Sequence, residues 1–390
     1  MNRKLLTALI AVVLGFVVGL ILAFIFGFSN HGNTLTYFPN QIIVPMVRSF
    51  TGIDLSGNFP FTPRLIGEFI VASIPLILTG LSVAFAFKTG LFNIGAEGQL
   101  IVGGIAAALA GIYLDLPPII HPIVVLIIAA LAGFLYGFIP GFLKAKFNVH
   151  EVVTCIMLNY TAMFLNNMIF RGLPGFANER TPDIRPSASL ASPFLSGLTG
   201  GSRLNWSILL VVVACLFFWF IIEKTTFGYN LKAIGFNKEA ARYAGMKVNK
   251  GIMLSMGISG AFAALGGATL VMGLFGAGRI LTFFENYGFN GIAVSLVGLN
   301  NAVGVILSGA LFGMLQVSQP LIQGNGVPRE IASIISALII FFIAIPTLYD
   351  KYIDKYLDKR KDKQNKKDDN DKEVVIDKTG LLPSDSGGEA

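Results

Sequence analysis

Charge is scarce in this sequence. Only 13% of its 390 residues are Asp, Glu, Lys or Arg, against roughly 25% in a usual soluble domain. What charge there is collects at the end. The last 41 residues, 350–390, hold ten Lys/Arg and eleven Asp/Glu, so residues 1–349 keep 19 basic and 11 acidic side chains. A body so depleted, with a mean hydropathy of +0.70, cannot present a solvated surface all round. Histidine (three) and cysteine (two) are also rare. Neither HExxH nor a Cys/His metal spacing occurs, which leaves no basis for a metal site. Cys155 and Cys215 fall inside apolar runs and read as small core residues. There is no G-x-x-x-x-G-K-[ST] phosphate loop, no arginine ladder and no TVGYG filter, which argues against ATP hydrolysis on this chain and against two classes of channel.

What the sequence does have is long apolar runs. A helix crossing a bilayer needs about 20 apolar residues. Candidate spans are 5–28, 65–87, 100–113, 119–142, 152–170, 206–222, 251–275, an interrupted run over 288–317, and 331–348. The first is too long for a cleaved signal peptide and reads as a retained span. The composition and these runs predict an all-α, polytopic membrane protein with about 8–10 transmembrane helices, including broken or re-entrant segments. One membrane domain fills 1–349; residues 350–390 form a charged, partly disordered tail.

Positive charge assigns the sides of the membrane. Arg3 and Lys4, Lys144 and Lys146, and the six lysines and arginines of 223–250 all fall on one side when spans are counted from a cytoplasmic N-terminus. The +7 net charge is thus an orientation signal and not a nucleic-acid signal. Nine full spans would put the tail outside, so one segment must not cross. The best candidate is Phe289–Leu315, two apolar pieces around Gly298-Leu299-Asn300-Asn301; it is expected to form a re-entrant hairpin, or else two short helices. The tail then lies in the cytoplasm with the N-terminus.

Two polar stretches interrupt the apolar body. The first, KTGLFNIGAEGQL (Lys88–Leu100), carries Asn93, Glu97 and Gln99 among Gly90, Gly95 and Gly98. Glycine permits backbone that other residues resist, and a carboxylate at membrane depth costs about 2.5–3.5 kcal/mol on insertion scales. The residues suit a broken helix at the midplane, where transporters bind substrates, or a plain loop with Glu97 capping the following helix. The second stretch, FNKEAARYAGM within 223–250, reads as a short helix capped by Asn237. Glu239 lies in its first turn, Ala240, Ala241 and Ala244 form a smooth face, and Gly245 forms the C-terminal cap. Its smooth face suits docking on a partner, and a solvated amphipathic loop is the alternative.

Other features are less specific. His150-Glu151 reads as an interfacial pair. Asn159, Asn166 and Asn167 are expected to line a pathway or bond between helices. Asn290 belongs to the suspected hairpin. Gly103–Gly111 and Ser259–Ala268 read as small-residue seams for close helix packing. Arg171, Arg180, Arg185 and Arg203 fall on the outside, with Glu179 and Asp183 beside them.

Three segments together resemble one family. FKTGLFNIGAEGQLIVGG (Phe87–Gly104) resembles the signature of ABC-importer permeases of the branched-chain amino acid, simple sugar and nucleoside superfamily. EAARYAG (Glu239–Gly245) resembles the E-A-A-x-x-x-G pattern of importer coupling loops. NGIAVSLVGLNNAVGVILSGALFG (Asn290–Gly313) is similar to the late segment of these permeases. The similarity runs from about Leu65 to Leu348. GLFNIGAEGQ most resembles the nucleoside permeases that work with lipoprotein receptors. The I-x-L-P extension of other coupling loops is absent, and the tail has no match in the family.

The resemblance implies a non-enzymatic permease subunit in a bacterial plasma membrane, forming the translocation pathway for nucleosides. It implies no cofactor on this chain, with ATP and magnesium held by a partner ATPase. It implies three protein partners: an ATP-binding subunit, a second and different permease chain, and an extracytoplasmic substrate-binding lipoprotein. Glu239, Ala240, Ala241 and Gly245 would then lie in the helix that meets the ATPase. Asn93, Glu97, Gln99, Asn159 and Asn290 are the expected pathway or support residues, since amides offer donors and acceptors to base and ribose. A simple-sugar permease and an ion-coupled secondary transporter are the rival readings.

Overall fold

The computed structural model describes residues 3–31, 42–57, 60–324 and 330–345. The charged tail and part of the first long connection lie outside the described residues. Among the described residues there is no β-strand, only isolated bridges. The helices are α1 (Arg3–His31), α2 (Val44–Thr51), α3 (Pro63–Lys88), α4 (Ala96–Tyr113), α5 (Ile120–Phe147), α6 (Glu151–Arg171), α7 (Pro193–Leu198), α8 (Ser207–Lys224), α9 (Thr226–Phe236), α10 (Lys238–Tyr243), α11 (Val248–Thr269), α12 (Tyr287–Val297), α13 (Ala302–Gly324) and α14 (Glu330–Ala344). A π-helical turn, Leu270–Phe275, prolongs α11.

Seven of them, α3, α4, α5, α6, α8, α11 with its π turn, and α13, are long and apolar enough to cross a membrane. Shorter apolar helices lie at Leu6–Ile21, Tyr287–Val297 and Ser333–Ile343. The chain is a multi-pass membrane protein of all-α fold. Helices α3, α4 and α11 are mostly buried, whereas α5, α6 and α8 expose most of their apolar surface. On α8, Leu209, Val212, Leu216 and Phe220 face outward, as a lipid-facing ridge requires.

The two small-residue runs meet each other. A Cβ added at Gly103 would lie 2.4 Å from the Ala264 Cα, and one at Gly267 would lie 1.9 Å from the Leu100 carbonyl oxygen. Along the same stripe α11 also crosses α5, where a Cβ at Gly260 would meet the Gly133 carbonyl oxygen at 2.2 Å. Backbones in this contact touch because neither helix has side chains there.

The suspected hairpin differs from expectation in one half. The break falls at Gly298–Asn301, with left-handed backbone at Leu299 (φ 55°) and Asn300 (φ 54°). The Asn300 amide N–H donates to the Ser295 carbonyl, and the Ser295 hydroxyl donates to Asn300 Oδ1 at 2.6 Å. Before the break, α12 has 11 residues; after it, α13 has 23, or about 35 Å at 1.5 Å per residue. Only the first piece is short. Helix α13 runs antiparallel to α3, with Val305 against Gly80, Gly309 against Ile77 and Gly313 against Ser73.

The connection 172–206 is tied to its neighbours. Thr181 N–H donates to the Gly278 carbonyl, Ile184 N–H to Gly276, and Arg185 N–H to Gly111 at the end of α4. Its arginines are paired: Arg180 with Asp183, Arg185 with Asp115 at 3.1 Å, and Arg203 with Glu68 at 2.6 Å.

Candidate functional site

Helix α3 stops at Lys88 through a glycine cap. Gly90 is left-handed (φ 69°) and its N–H donates to the Phe87 carbonyl, while Leu91 N–H donates to Ala86. This is the paired arrangement that satisfies the last carbonyls of a helix. The chain then turns inward instead of out to water. Asn93 is fully buried. Its Oδ1 accepts from Gly95 N–H at 3.0 Å, and its Nδ2 donates to Gln99 Oε1 and to Ser259 Oγ on α11, both at 2.7 Å. Ser259 in turn donates to the Ser82 carbonyl on α3 at 2.6 Å. From α6, Asn159 Oδ1 accepts from Gly98 N–H at 2.8 Å and Asn159 Nδ2 donates to the Ile94 carbonyl at 3.0 Å. Three helices therefore hold the unwound segment at the depth of the middle of α6.

Glu97 lies in the first turn of α4, but it does not cap α4 and it is not in a surface loop. Its side chain is fully buried. The carboxylate crosses to α12 and accepts from Asn286 N–H at 2.9 Å and Gly288 N–H at 2.5 Å. These are the unpaired donors at the start of a helix, where its dipole favours an anion. Asn286 is left-handed (φ 65°), which aims its N–H inward. Gly288 is there for space: a Cβ would lie 2.2 Å from Glu97 N. The cavity beside Glu97 is about 40 Å³, room for a water or so. Asn93, Gln99, Glu97 and Asn159 are thus brought together, buried and bonded to the protein itself. Asn290 stays apart on α12, partly exposed.

The basic end carries α9 and α10. Asn237 Oδ1 accepts from Glu239 N–H and Ala240 N–H, both at 3.0 Å, which caps α10. Glu239 pairs with Arg242 at 2.9 Å. Gly245 is left-handed (φ 79°), and Met246 N–H donates to the Ala241 carbonyl. The smooth face is divided. Ala241 packs inward with Ile234, Val248 and Ile252, whereas Ala240, Ala244 and Gly245 are exposed. Phe236 (91%) and Tyr243 (92%) are almost fully exposed, which singles them out among the described aromatics.

His150 and Glu151 do not pair. His150 Nδ1 accepts from Val152 N–H, and Glu151 pairs with Lys144 at 2.9 Å. Asn166 and Asn167 bond between segments, holding the 279–281 backbone. In that loop burial pushes the Glu285 carboxyl above the usual carboxylate range, against the opposing pull of its Arg279 partner. Both cysteines are free and buried, and no metal-binding cluster occurs among the described residues.

Sequence reasoning missed Ser82 and Ser259, which complete the network, and the Thr89–Ser255 pair that likewise ties the end of α3 to α11, because each bonds across about 170 residues. It also missed Tyr287 and Gln316, whose side chains meet at 3.3 Å. One signal was available: Pro75 and Pro320 sit inside spans, and each must free a carbonyl four residues earlier.

Comparison with known proteins places these elements in a common frame. The family described as "Branched-chain amino acid transport system / permease component" matches residues 65–344. The chain is similar to the guanosine ABC transporter permease protein NupP of Bacillus subtilis (strain 168), with 45% identity over 282 residues, 72% of this chain and 80% of that protein. It is 33% identical over 356 residues to the nucleoside ABC transporter permease protein NupB of Lactococcus lactis, covering 88% of this chain and 92% of that one. A glucose ABC transporter permease protein, TsgB13 of Haloferax volcanii, is 34% identical over 294 residues, 73% of this chain and 77% of its own. No solved structure matches the chain.

Proposed function

This chain belongs to the permease-component family of branched-chain amino acid transport systems, and from that premise we propose that it is the membrane-spanning subunit of an ATP-driven importer of nucleosides. The observation that carries the substrate class is the 45% identity to a guanosine permease over most of both chains. Sequence likeness to a glucose permease keeps simple sugars as the second reading.

In this proposal ATP hydrolysis belongs to a separate ATP-binding subunit that docks on α9–α10, and that end faces the cytoplasm with both termini. A second permease chain and an extracytoplasmic lipoprotein receptor complete the complex. The exposed Phe236, Tyr243, Ala240 and Gly245 form the docking surface. Its movement has a short physical route inward. Gly235, near the end of α9, packs backbone to backbone on the cap of α3, where a Cβ at Gly235 would meet the Lys88 carbonyl oxygen at 2.6 Å and one at Gly90 the Gly235 carbonyl oxygen at 3.0 Å. From Gly90 the chain leads to Asn93, which is tied to α11, and to Glu97, which is tied to α12. Rocking of α9 would displace the broken segment and, through it, two helices. Asn93, Glu97, Gln99 and Asn159 act here as supports rather than as substrate ligands, since their polar atoms are spent on one another and on the backbone.

Uptake of labelled guanosine, uridine and ribose by cells with and without this chain tests the reading, with ATP depleted and the proton gradient held. ATP-dependent nucleoside uptake with ribose unaffected is expected. Uptake of ribose alone would move the chain to the sugar branch, and uptake that survives ATP depletion but is lost with the gradient would mean a secondary transporter.

A further inference from the structure

A cavity of about 400 Å³ opens between α3 and α13, at the end of the molecule that carries the 172–206 connection, and reaches Tyr287 at the start of α12. Its volume falls within the range of roughly 300–1,000 Å³ typical of small-molecule sites. Three features mark it as more than a packing fault.

The first is a pair of prolines. Pro75 in α3 has no N–H to give the Val71 carbonyl, and Pro320 in α13 has none for the Gln316 carbonyl. Val71 and Gln316 both line the cavity, and the antiparallel contact of Ser73 with Gly313 sets them at about the same height. Two facing helices thus each lose a backbone bond at one level. Broken helix bonds at membrane depth are tolerated only inside protein or along a cavity, and in transporters interrupted helices mark the binding site.

The second is the Gln316 side chain. Its Nε2 donates to Tyr287 Oη at 3.3 Å, while its Oε1 is buried without a partner among the described residues. A buried amide oxygen left unsatisfied costs about 1–3 kcal/mol, so a donor arriving in the cavity is favoured. Tyr287 keeps its own O–H free to donate, because it serves as the acceptor for Gln316. Together they present one acceptor beside one donor. Turning the amide over exchanges the two roles and again leaves one acceptor and one donor. That pattern complements the edge of a nucleobase, where a ring N–H or N lies beside an exocyclic oxygen or amine.

The third is the mouth. Glu68 and Arg203 pair there, with the Glu68 side chain mostly buried and Arg203 more than half exposed. A carboxylate and a guanidinium side by side offer acceptors and donors to a vicinal diol. Arg64 also lines the cavity, and Ala72, Leu274, Val317 and Leu321 give an apolar stretch of wall that suits a base's flat faces.

We propose that this cavity is a station for the nucleoside on its way through the chain, with Gln316 and Tyr287 reading the hydrogen-bonding edge of the base and Glu68 and Arg203 meeting the ribose at the mouth. The proposal rests on the nucleoside reading above. It assigns base recognition to the permease itself, on residues distinct from the buried Asn93–Glu97 clamp.

The test uses the complete transporter, with its receptor and ATPase, in proteoliposomes. Guanosine uptake is compared with that of 1-methylguanosine, which lacks the N1–H. Gln316→Leu removes the amide, Tyr287→Phe removes one oxygen and keeps the ring's packing, and Ala72→Phe fills the cavity without touching a polar group. Gln316→Leu is expected to lower guanosine uptake about tenfold, the effect of one hydrogen bond worth about 1.4 kcal/mol, and Ala72→Phe to lower it by excluding the base, both with assembly and ATP hydrolysis retained. Gln316→Leu and Tyr287→Phe are also expected to narrow the guanosine to 1-methylguanosine ratio. The receptor is the same throughout, so a change in that ratio belongs to this chain. Assembled variants with wild-type uptake and an unchanged ratio would overturn the proposal and leave the nucleoside reading standing. A wild-type transporter that carries ribose and no nucleoside would overturn both.

Discussion

At the scale of single residues, the tightest constraint is where Glu97 meets α12. Two backbone N–H groups point at one fully buried carboxylate. Glu97→Gln keeps the shape but sets an amide NH2 against a backbone N–H. A mispaired buried donor costs about 1–3 kcal/mol. The expected outcome is a lower melting temperature of the detergent-solubilised protein, while Glu97→Asp, which is too short to reach across, destabilises as well. Gly288→Ala should be at least as damaging, because its Cβ would lie 2.2 Å from the Glu97 backbone nitrogen and 2.5 Å from its Cα, atoms that cannot swing aside. An unchanged melting temperature in both Gly288→Ala and Glu97→Gln would mean that the α4–α12 junction is not a stability element.

At the scale of elements, α9 and α10 carry Phe236 and Tyr243, the most exposed large apolar side chains among the described residues. Two substitutions separate docking from folding. Ala240 is exposed, and a Cβ at Gly245 would meet no atom of the described residues within 4 Å, so a large side chain fits sterically at either position. Ala240→Trp and Gly245→Trp are expected to leave the chain folded and inserted while uncoupling ATP hydrolysis from uptake. Gly245→Trp carries an added strain, since a non-glycine residue at φ 79° costs about 1–2 kcal/mol; Ala240→Trp carries none. Wild-type uptake by both variants would remove α10 from the docking surface. The α5–α11 crossing gives an element-scale check on packing. Gly260→Leu drives a side chain into the Gly133 backbone and should abolish folding, read as loss of the protein from the membrane fraction.

For the whole molecule, the family reading requires a complex. Affinity purification of this chain from its membrane is expected to bring down an ATP-binding subunit in stoichiometric amount and a second, different permease. Recovery of the chain alone, in a detergent that preserves other membrane complexes, would favour a transporter that works by itself. The fold class was legible in the sequence for a simple reason. Bilayer crossing demands about 20 apolar residues, and that requirement is written locally, so α3, α5, α6, α8 and α11 fall where the runs fall. Local chemistry also placed the Asn237 cap and the Gly245 turn, because capping is settled within four residues. The sequence could mark Lys88–Leu100 as broken, but not say whether Glu97 was at the surface or within. That depended on α12, some 190 residues away, bringing two N–H groups to the carboxylate. The same holds for Gln316 and Tyr287: each is an ordinary residue in its own helix, and only the approach of α3 to α13 makes a polar cavity between them. What the sequence determined by itself are the properties set by solvent and by near neighbours, namely membrane residence, helix positions and caps. What only the tertiary structure decided is which polar groups are satisfied by one another and which are left facing a space, since hydrogen bonding acts over about 3 Å and depends on which distant segments are brought within that reach.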